Sequence, residues 1–372
     1  MPAVAVLLLL PAPLFAGEEA EQHILFTSLA QGDTNGDGIL NNEDEEVYLF
    51  NTKGEAPRRL TTNGFRERAV TLAPNGRNFV YLGDPIDTVY LADTRLGQSR
   101  AVLSTSASMN SQQFINLNPL LRRLPWSVDG SRIYLSFAYP VNQWYAMKLS
   151  GPLVDIGPAV WSQRQQRYSL VEQESERLQK VYDVQAHGFF PSPDGQRALY
   201  IDGNRGGAYL LSLRNGTRTM LLSDRLLYHS TATWSPSGRS VVLYRSNLLR
   251  QQDDLLVVDV EAKRVRWRFS DALRAQERWS PDGRLLAFTA PPGIGVYDFE
   301  RQRIIMSPAE GFGLRSPIWS ADNDEFFAIA ADGQGGDEEM GRIVASRPSL
   351  GSRRVVGEVA GLKRLLYLVP QP

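Results

Sequence analysis

One pentapeptide, Trp-Ser-Pro-Asp-Gly, recurs along this chain and constrains its fold more than any other feature. Its clearest copies are Trp279-Ser280-Pro281-Asp282-Gly283 and Trp234-Ser235-Pro236-Ser237-Gly238. Pro191-Ser192-Pro193-Asp194-Gly195 and Trp126-Ser127-Val128-Asp129-Gly130 follow. Weaker versions stand at Ala73-Pro74-Asn75-Gly76 and Trp319-Ser320-Ala321-Asp322-Asn323. Each precedes an apolar run such as Leu285-Leu286-Ala287-Phe288. A second run then ends near an aspartate, as in Val296-Tyr297-Asp298 or Val257-Val258-Asp259. A repeat of about 40–50 residues that holds several short strands implies an all-β, closed β-propeller.

Within each repeat, the residues before Trp-Ser form the inner strand of a blade. Pro-Asp-Gly supplies the tight turn, with proline fixing φ and glycine accepting φ > 0. The next two runs are middle strands, and a run such as Thr217 to Leu222 is the outer edge. Trp126, Trp161, Trp234, Trp279 and Trp319 are expected to pack between blades. The first blade lacks the motif and begins directly at Ile24-Leu25-Phe26-Thr27. Its missing inner strand is expected from the far end of the chain, at Leu365 to Val369. Closing the ring in this way removes two exposed sheet edges.

The count this gives is seven four-stranded blades, with six or eight as alternatives. The uncertain stretch is 158–186, where Trp161-Ser162, Tyr168 to Val171 and Val181 to Val184 look like another repeat. A third strand must be followed by a crossing of about 17–20 Å before the next inner strand. Gln185-Ala186-His187 span at most about 10 Å. An inserted hairpin needs no crossing, so 158–186 reads as one, inside a single propeller domain over 22–370.

With 372 residues, 42% of them hydrophobic, the chain can bury a large core, and repetition makes one modular domain more natural than two. Lys plus Arg number 40 and Asp plus Glu 41, so no global field draws in nucleic acid, and no nucleic-acid module is legible. The absence of cysteine excludes disulfides, thiolate metal sites and cysteine nucleophiles. Residues 3–10 form an apolar block, followed by Pro11 to Ala16 and then Gly17-Glu18-Glu19. That block is too short to span a bilayer and suits an export signal over 1–16, although no Lys or Arg precedes it. A periplasmic or secreted monomer without a membrane span is expected.

Residues 33–44 carry the sharpest chemical motif. Asp33, Asn35, Asp37, Ile39, Asn41 and Asp44 fall at the ligand positions of a twelve-residue calcium loop, with Gly38 at the bend. Alternate side chains of a tight loop converge on one point. Asp33, Asn35 and Asp37 offer side-chain oxygens, Ile39 its carbonyl, Asn41 an oxygen directly or through water, and Asp44 a carboxylate. Asp44 replaces the usual Glu, and the flanks read as strands. A structural Ca2+ that rigidifies a hairpin loop is therefore expected, rather than an EF-hand switch. The acidic loop 332–339 lacks the spacing and reads as a solvated hairpin tip.

Three histidines exist, His23, His187 and His229, and no two are close in sequence. No Gly-x-Ser-x-Gly elbow, phosphate-cradling glycine loop or His-Glu-x-x-His helix occurs. No catalytic residue and no organic cofactor is assigned. His187 and His229 each precede an inner strand and could meet near the ring axis.

The repeated Trp-Ser-Pro-Asp-Gly, with its apolar run and Tyr/Val-x-Asp run, resembles the propeller repeats of the TolB type from about Gln22 to Pro370. The resemblance implies a periplasmic propeller that binds protein partners. Similar repeats also occur in peptidase-associated propellers and sugar lyases. TolB carries an α/β domain before a six-bladed propeller, whereas here the apolar start runs straight into the first of seven expected blades. The expectation is a non-enzymatic exported scaffold that grips a protein or peptide at its rim or channel. The alternative is a lyase- or hydrolase-like propeller enzyme acting on a polysaccharide or peptide. An arginine-and-apolar channel mouth would favour the scaffold, and histidines clustered with acids would favour the enzyme.

Overall fold

The computed structural model describes residues 21–29, 44–83, 88–104, 123–136, 143–151, 154–155, 161–162, 167–168, 178–186, 188–202, 206–225, 227–247, 252–270, 272, 276–290, 293–306, 313–331, 340–349 and 352–369. The chain folds as an all-β propeller, with no α-helix among the described residues. No helix there is long and apolar enough to cross a membrane.

Among the described residues, six sheets contain four or more strands. Sheet I joins Arg58–Arg59, Glu46–Asn51 and His23–Ser28 to Leu362–Val369, so the last strand pairs with the first, antiparallel from His23 to Ser28. Sheet II runs Arg68–Leu72, Asn78–Leu82, Thr88–Asp93, Ser99–Ser104, with Val154–Asp155 added in parallel. Sheet IV is Gly188–Pro191, Arg197–Asp202, Gly207–Ser212, Arg218–Leu222. Sheet V is Leu227–Trp234, Ser240–Asn247, Gln252–Asp259, Arg264–Ser270. Sheet VI is Glu277–Trp279, Leu285–Ala290, Gly293–Asp298, Arg303–Met306. Sheet VII is Gly313–Trp319, Phe326–Ala331, Met340–Arg347, Ser352–Ala360. Sheet III has three strands, Arg132–Ser136, Gln143–Lys148 and Leu178–Gln185, and Trp126 bridges to Ile133 at its inner edge.

The segment 158–186 divides in two, which differs from the single hairpin expected. Trp161–Ser162 and Arg167–Tyr168 form a short antiparallel ladder, whereas Leu178–Gln185 pairs with Gln143–Lys148 as the outermost strand of sheet III. The crossing problem then disappears. A fourth strand runs antiparallel to the third, so the chain leaves it at the end where Gly188–Pro191 begins.

Middle strands are buried on both faces because another sheet lies on each side, so they read as unbroken apolar runs. Leu285–Ala290 and Gly293–Asp298 are buried at every position. Arg264–Ser270, on an outer edge, is mostly exposed and carries charge. Successive sheets share clusters: Leu199, Ile201 and Leu210 of sheet IV pack with Val241, Leu243 and Val258 of sheet V. Ile24, Phe26 and Phe50 of sheet I pack with Ile318, Phe327 and Ile343 of sheet VII.

The repeat motif is a hydrogen-bonded device. In Ser280-Pro281-Asp282-Gly283, the Ser280 hydroxyl accepts the Leu285 amide at 2.8 Å and donates to Asp282 at 2.6 Å, while the Gly283 amide bonds the Ser280 carbonyl at 2.8 Å. Ser127, Ser192 and Ser320 repeat the pattern. At the exposed copy, the Ser127 hydroxyl, then the Ser131 amide and hydroxyl, hold the Asp129 carboxyl down at about 2. Each turn glycine has φ near +70°, as in Gly130 (68°), Gly195 (67°) and Gly238 (67°).

Tryptophan ties neighbouring sheets together. The indole N–H of Trp126 donates to the Thr71 carbonyl at 3.1 Å, that of Trp234 to Phe190 at 2.9 Å, and that of Trp319 to Arg278 at 2.9 Å. Each bond runs from one inner strand to its predecessor. Trp279 instead stacks on Phe299, with ring centroids 5.0 Å apart. The expectation for Trp161 concerns a side chain outside the described residues.

Candidate functional site

The inner strands, or the residues leading into them, converge on one cavity of about 420 Å³. Sheet I contributes residues 364–367, and Arg66, Arg68, Ala69 and Val70 come from sheet II and the residues leading into it. Arg123 comes from the segment beside sheet III, and Phe190 from sheet IV. Sheets V, VI and VII supply residues 231–233, 276–278 and 316–317. In sheets III, V, VI and VII these are the positions just ahead of the repeat's Trp, at the inner edge of the sheet.

The wall is arginine-rich. Arg66, Arg68, Arg123, Arg278 and Arg364 line it, and Glu277 is the one carboxylate among the described lining residues. Glu45, buried just behind, accepts Arg66 Nε at 3.1 Å on one oxygen and Arg364 Nη2 at 3.1 Å on the other. Glu277 is engaged from two sides: Tyr244 donates its hydroxyl at 2.6 Å, and Thr233 donates to the second oxygen. Burial, and then the charge of Glu277, push the Tyr244 hydroxyl well above its usual range. Arg278 Nη1 donates to the Glu277 carbonyl at 2.7 Å. Burial and then the like charge of Arg123 lower the Arg278 guanidinium. Phe190, Leu366 and Tyr367 supply the apolar part of the wall.

Behind sheets I and II lies a second electrostatic feature. Glu67 is fully buried, and desolvation followed by the charge of Glu46 pushes its carboxyl up to about 9. Arg59 Nη2 donates to Glu46 at 2.5 Å.

Of the calcium-loop residues, Asp33, Asn35, Asp37, Ile39 and Asn41 lie outside the described residues, as does the loop 332–339. Asp44 is described and buried, immediately ahead of Glu46–Asn51. Among the described residues, no group of three His, Cys, Asp or Glu side chains is placed to hold a metal. His23 lies away from the cavity, with Nε2 3.5 Å from Glu21. The side chains of His187 and His229 fall outside the described residues.

The five arginines were not singled out from sequence. The signal that finds them is positional: Arg278 immediately precedes Trp279, and Arg123 stands three residues before Trp126.

No family model matches the sequence, and no curated protein does. Solved structures do match in fold. A puromycin hydrolase superposes with a TM-score of 0.60 at 13% identity, over 90% of this chain and 52% of its own. An oligogalacturonate lyase in complex with manganese gives 0.56 at 10% identity, over 92% of this chain and 91% of its own. TolB from Acinetobacter baumannii gives 0.49 at 13% identity, over 94% of this chain and 67% of its own. At these identities the likeness is one of fold alone.

Proposed function

We propose that the chain is an exported, non-enzymatic TolB-like propeller that binds a protein or peptide in its central cavity. The observation that carries this reading is the lining. Segments from or beside all seven sheets meet around one space walled by arginine and apolar side chains, and the one carboxylate among its described lining residues is already held by Tyr244 and Thr233. A rigid ring that presents many unlike segments to one point suits recognition. The ring itself is read as seven blades. Sheet III is completed by the Trp126 segment, and the ring is closed by Leu362–Val369 in sheet I.

A photoreactive residue at Ser316, in the cavity, should cross-link a polypeptide when the chain is incubated with envelope extract. The same residue at Leu96, 69% exposed on an outer turn, should not. Cleavage of a supplied polysaccharide or peptide, with no adduct at Ser316, would point to an enzyme instead. Export rests on the apolar start of the sequence and is checked by mass spectrometry of the native protein, which should begin near Gly17.

The loop 33–44 is read as a structural calcium site because its oxygen spacing fits the ion; Asp44, the last expected ligand, is buried just ahead of Glu46–Asn51. Calcium should raise the melting temperature of chelator-treated protein, by about 2.7 kcal/mol of stability at a hundredfold excess over Kd. Asp33→Ala with Asp37→Ala should erase that gain, and a gain that survives would place the ion elsewhere.

A further inference from the structure

We propose that Arg123 and Arg278 form a carboxylate-binding clamp in the central cavity, so that the partner enters as an acidic peptide segment. This rests on the peptide-binding reading above and adds the chemistry that the cavity selects.

Among the described residues that line the cavity, guanidiniums outnumber carboxylates: five line it, with Glu277 in the wall and Glu45 behind it. Glu45 is spent on Arg66 and Arg364 together. Both oxygens of Glu277 accept hydroxyls, and the bond from Arg278 to that residue goes to a backbone carbonyl. No ion pair is recorded for Arg123 or Arg278 among the described residues. Both line the same cavity of about 420 Å³, and after burial the like charge of Arg123 lowers the Arg278 guanidinium. Like charges in a partly dry cavity repel more strongly than in water, and an anion between them relieves that repulsion.

The shape of the groups narrows the anion. Guanidinium presents a planar fork of N–H donors that matches the two oxygens of a carboxylate. Phe190, Leu366 and Tyr367 offer apolar surface beside the clamp for the stem of an Asp or Glu side chain. The volume, about 420 Å³, falls in the range of about 300–1,000 Å³ of small-molecule pockets, room for the end of a side chain and its neighbours.

The test uses the full chain and fluorescence anisotropy with a labelled hexaglutamate peptide. Hexaglutamine of equal length is the neutral comparison, and trigalacturonate is the carboxylate of saccharide origin. Hexaglutamate should bind at least tenfold more tightly than hexaglutamine and weaken as salt rises. Arg123→Gln should cost at least tenfold, and Arg123→Lys, which keeps charge without the fork, should cost less. Arg264→Gln, on the exposed outer edge of sheet V, should change nothing. Arg278→Gln is compared only if its melting temperature shows a folded ring; Arg123→Gln carries the test otherwise. Equal binding of both peptides, indifferent to Arg123, would overturn the clamp and leave peptide binding standing. Trigalacturonate bound through Arg123 with neither peptide bound would overturn the acidic-peptide occupant and the peptide-binding reading together. Absence of binding by all three probes would overturn the clamp.

Discussion

The turn and the cavity wall are built from the same repeat, a few residues apart, and they obey opposite rules. At the turns the chemistry repeats: Ser127, Ser192, Ser280 and Ser320 each bond an amide five residues on. The turns also stack. Pro74 lies under Gly130, Val128 under Gly195, Pro193 under Gly238 and Pro236 under Gly283, each in the preceding sheet. In the three positions before the motif nothing repeats: Arg123 in one sheet answers to Thr231 in another and to Gln276 or Ser316 elsewhere. Residues that every sheet needs to fold converge on one solution, whereas residues that face the axis are released from that need and are available for a ligand.

The largest expected effect comes from the one sheet that is not built by repetition. Deleting residues 361–372 removes the strand that pairs with His23–Ser28. It also strips Leu362, Leu365, Leu366 and Val369 from buried positions. At about 1.5–3 kcal/mol for each buried side chain, an upper estimate, the loss is comparable to the whole stability of an ordinary domain. The truncated chain should show no cooperative melting transition. A transition within a few degrees of the full chain would break the closed-ring reading.

A smaller effect separates the turn from the wall. Ser280 is fully buried, and Ser280→Ala leaves the Leu285 amide without its acceptor. The cost should be about 1–3 kcal/mol. Arg123→Gln, a wall position, should change stability by less than about 0.5 kcal/mol. Equal losses of melting temperature would erase the distinction between folding and binding positions.

How far each part was legible follows from the same difference. The turns were legible because a Pro-Asp-Gly sequence has few backbone solutions, and the middle strands because burial on both faces demands unbroken apolar runs. The pairing of the two chain ends followed from one absent and one spare strand. Leu178–Gln185 was misread as part of a hairpin. Val181 to Val184 look like part of another repeat, while the ladder with Gln143–Lys148 makes this run the outermost strand of sheet III. Pairing partners are set by long-range packing that a local pattern does not contain. The arginine wall was invisible for another reason. An arginine at an inner strand has no periodicity of its own, and only the topology brings Arg66, Arg123, Arg278 and Arg364 to one place.

The smallest expected effect lies at the outer turns, where two copies of the repeat hold the wrong residue for their backbone. Four residues after Asp93 and Ser212 stand Gly97 and Gly216, with φ of 65° and 73°. Four residues after Asp259 and Asp298 stand Lys263 and Gln302, at 51° and 50°. The turn is the same, since Asp93, Asp259 and Asp298 each accept two backbone amides of the following residues. A left-handed conformation costs a residue with a Cβ about 1–2 kcal/mol. Glycine returns part of that gain through the entropy of the unfolded chain, about 0.4–1 kcal/mol. Lys263→Gly should therefore raise stability by up to about 1 kcal/mol, read as a rise in melting temperature with no change in peptide affinity. The reverse change at Gly216 should be costlier, because an added Cβ would lie 2.7 Å from the Tyr182 ring. A loss of stability in Lys263→Gly would mean that the lysine side chain contributes something its exposed position in the turn does not suggest, and that the outer turns are less interchangeable than the motif turns.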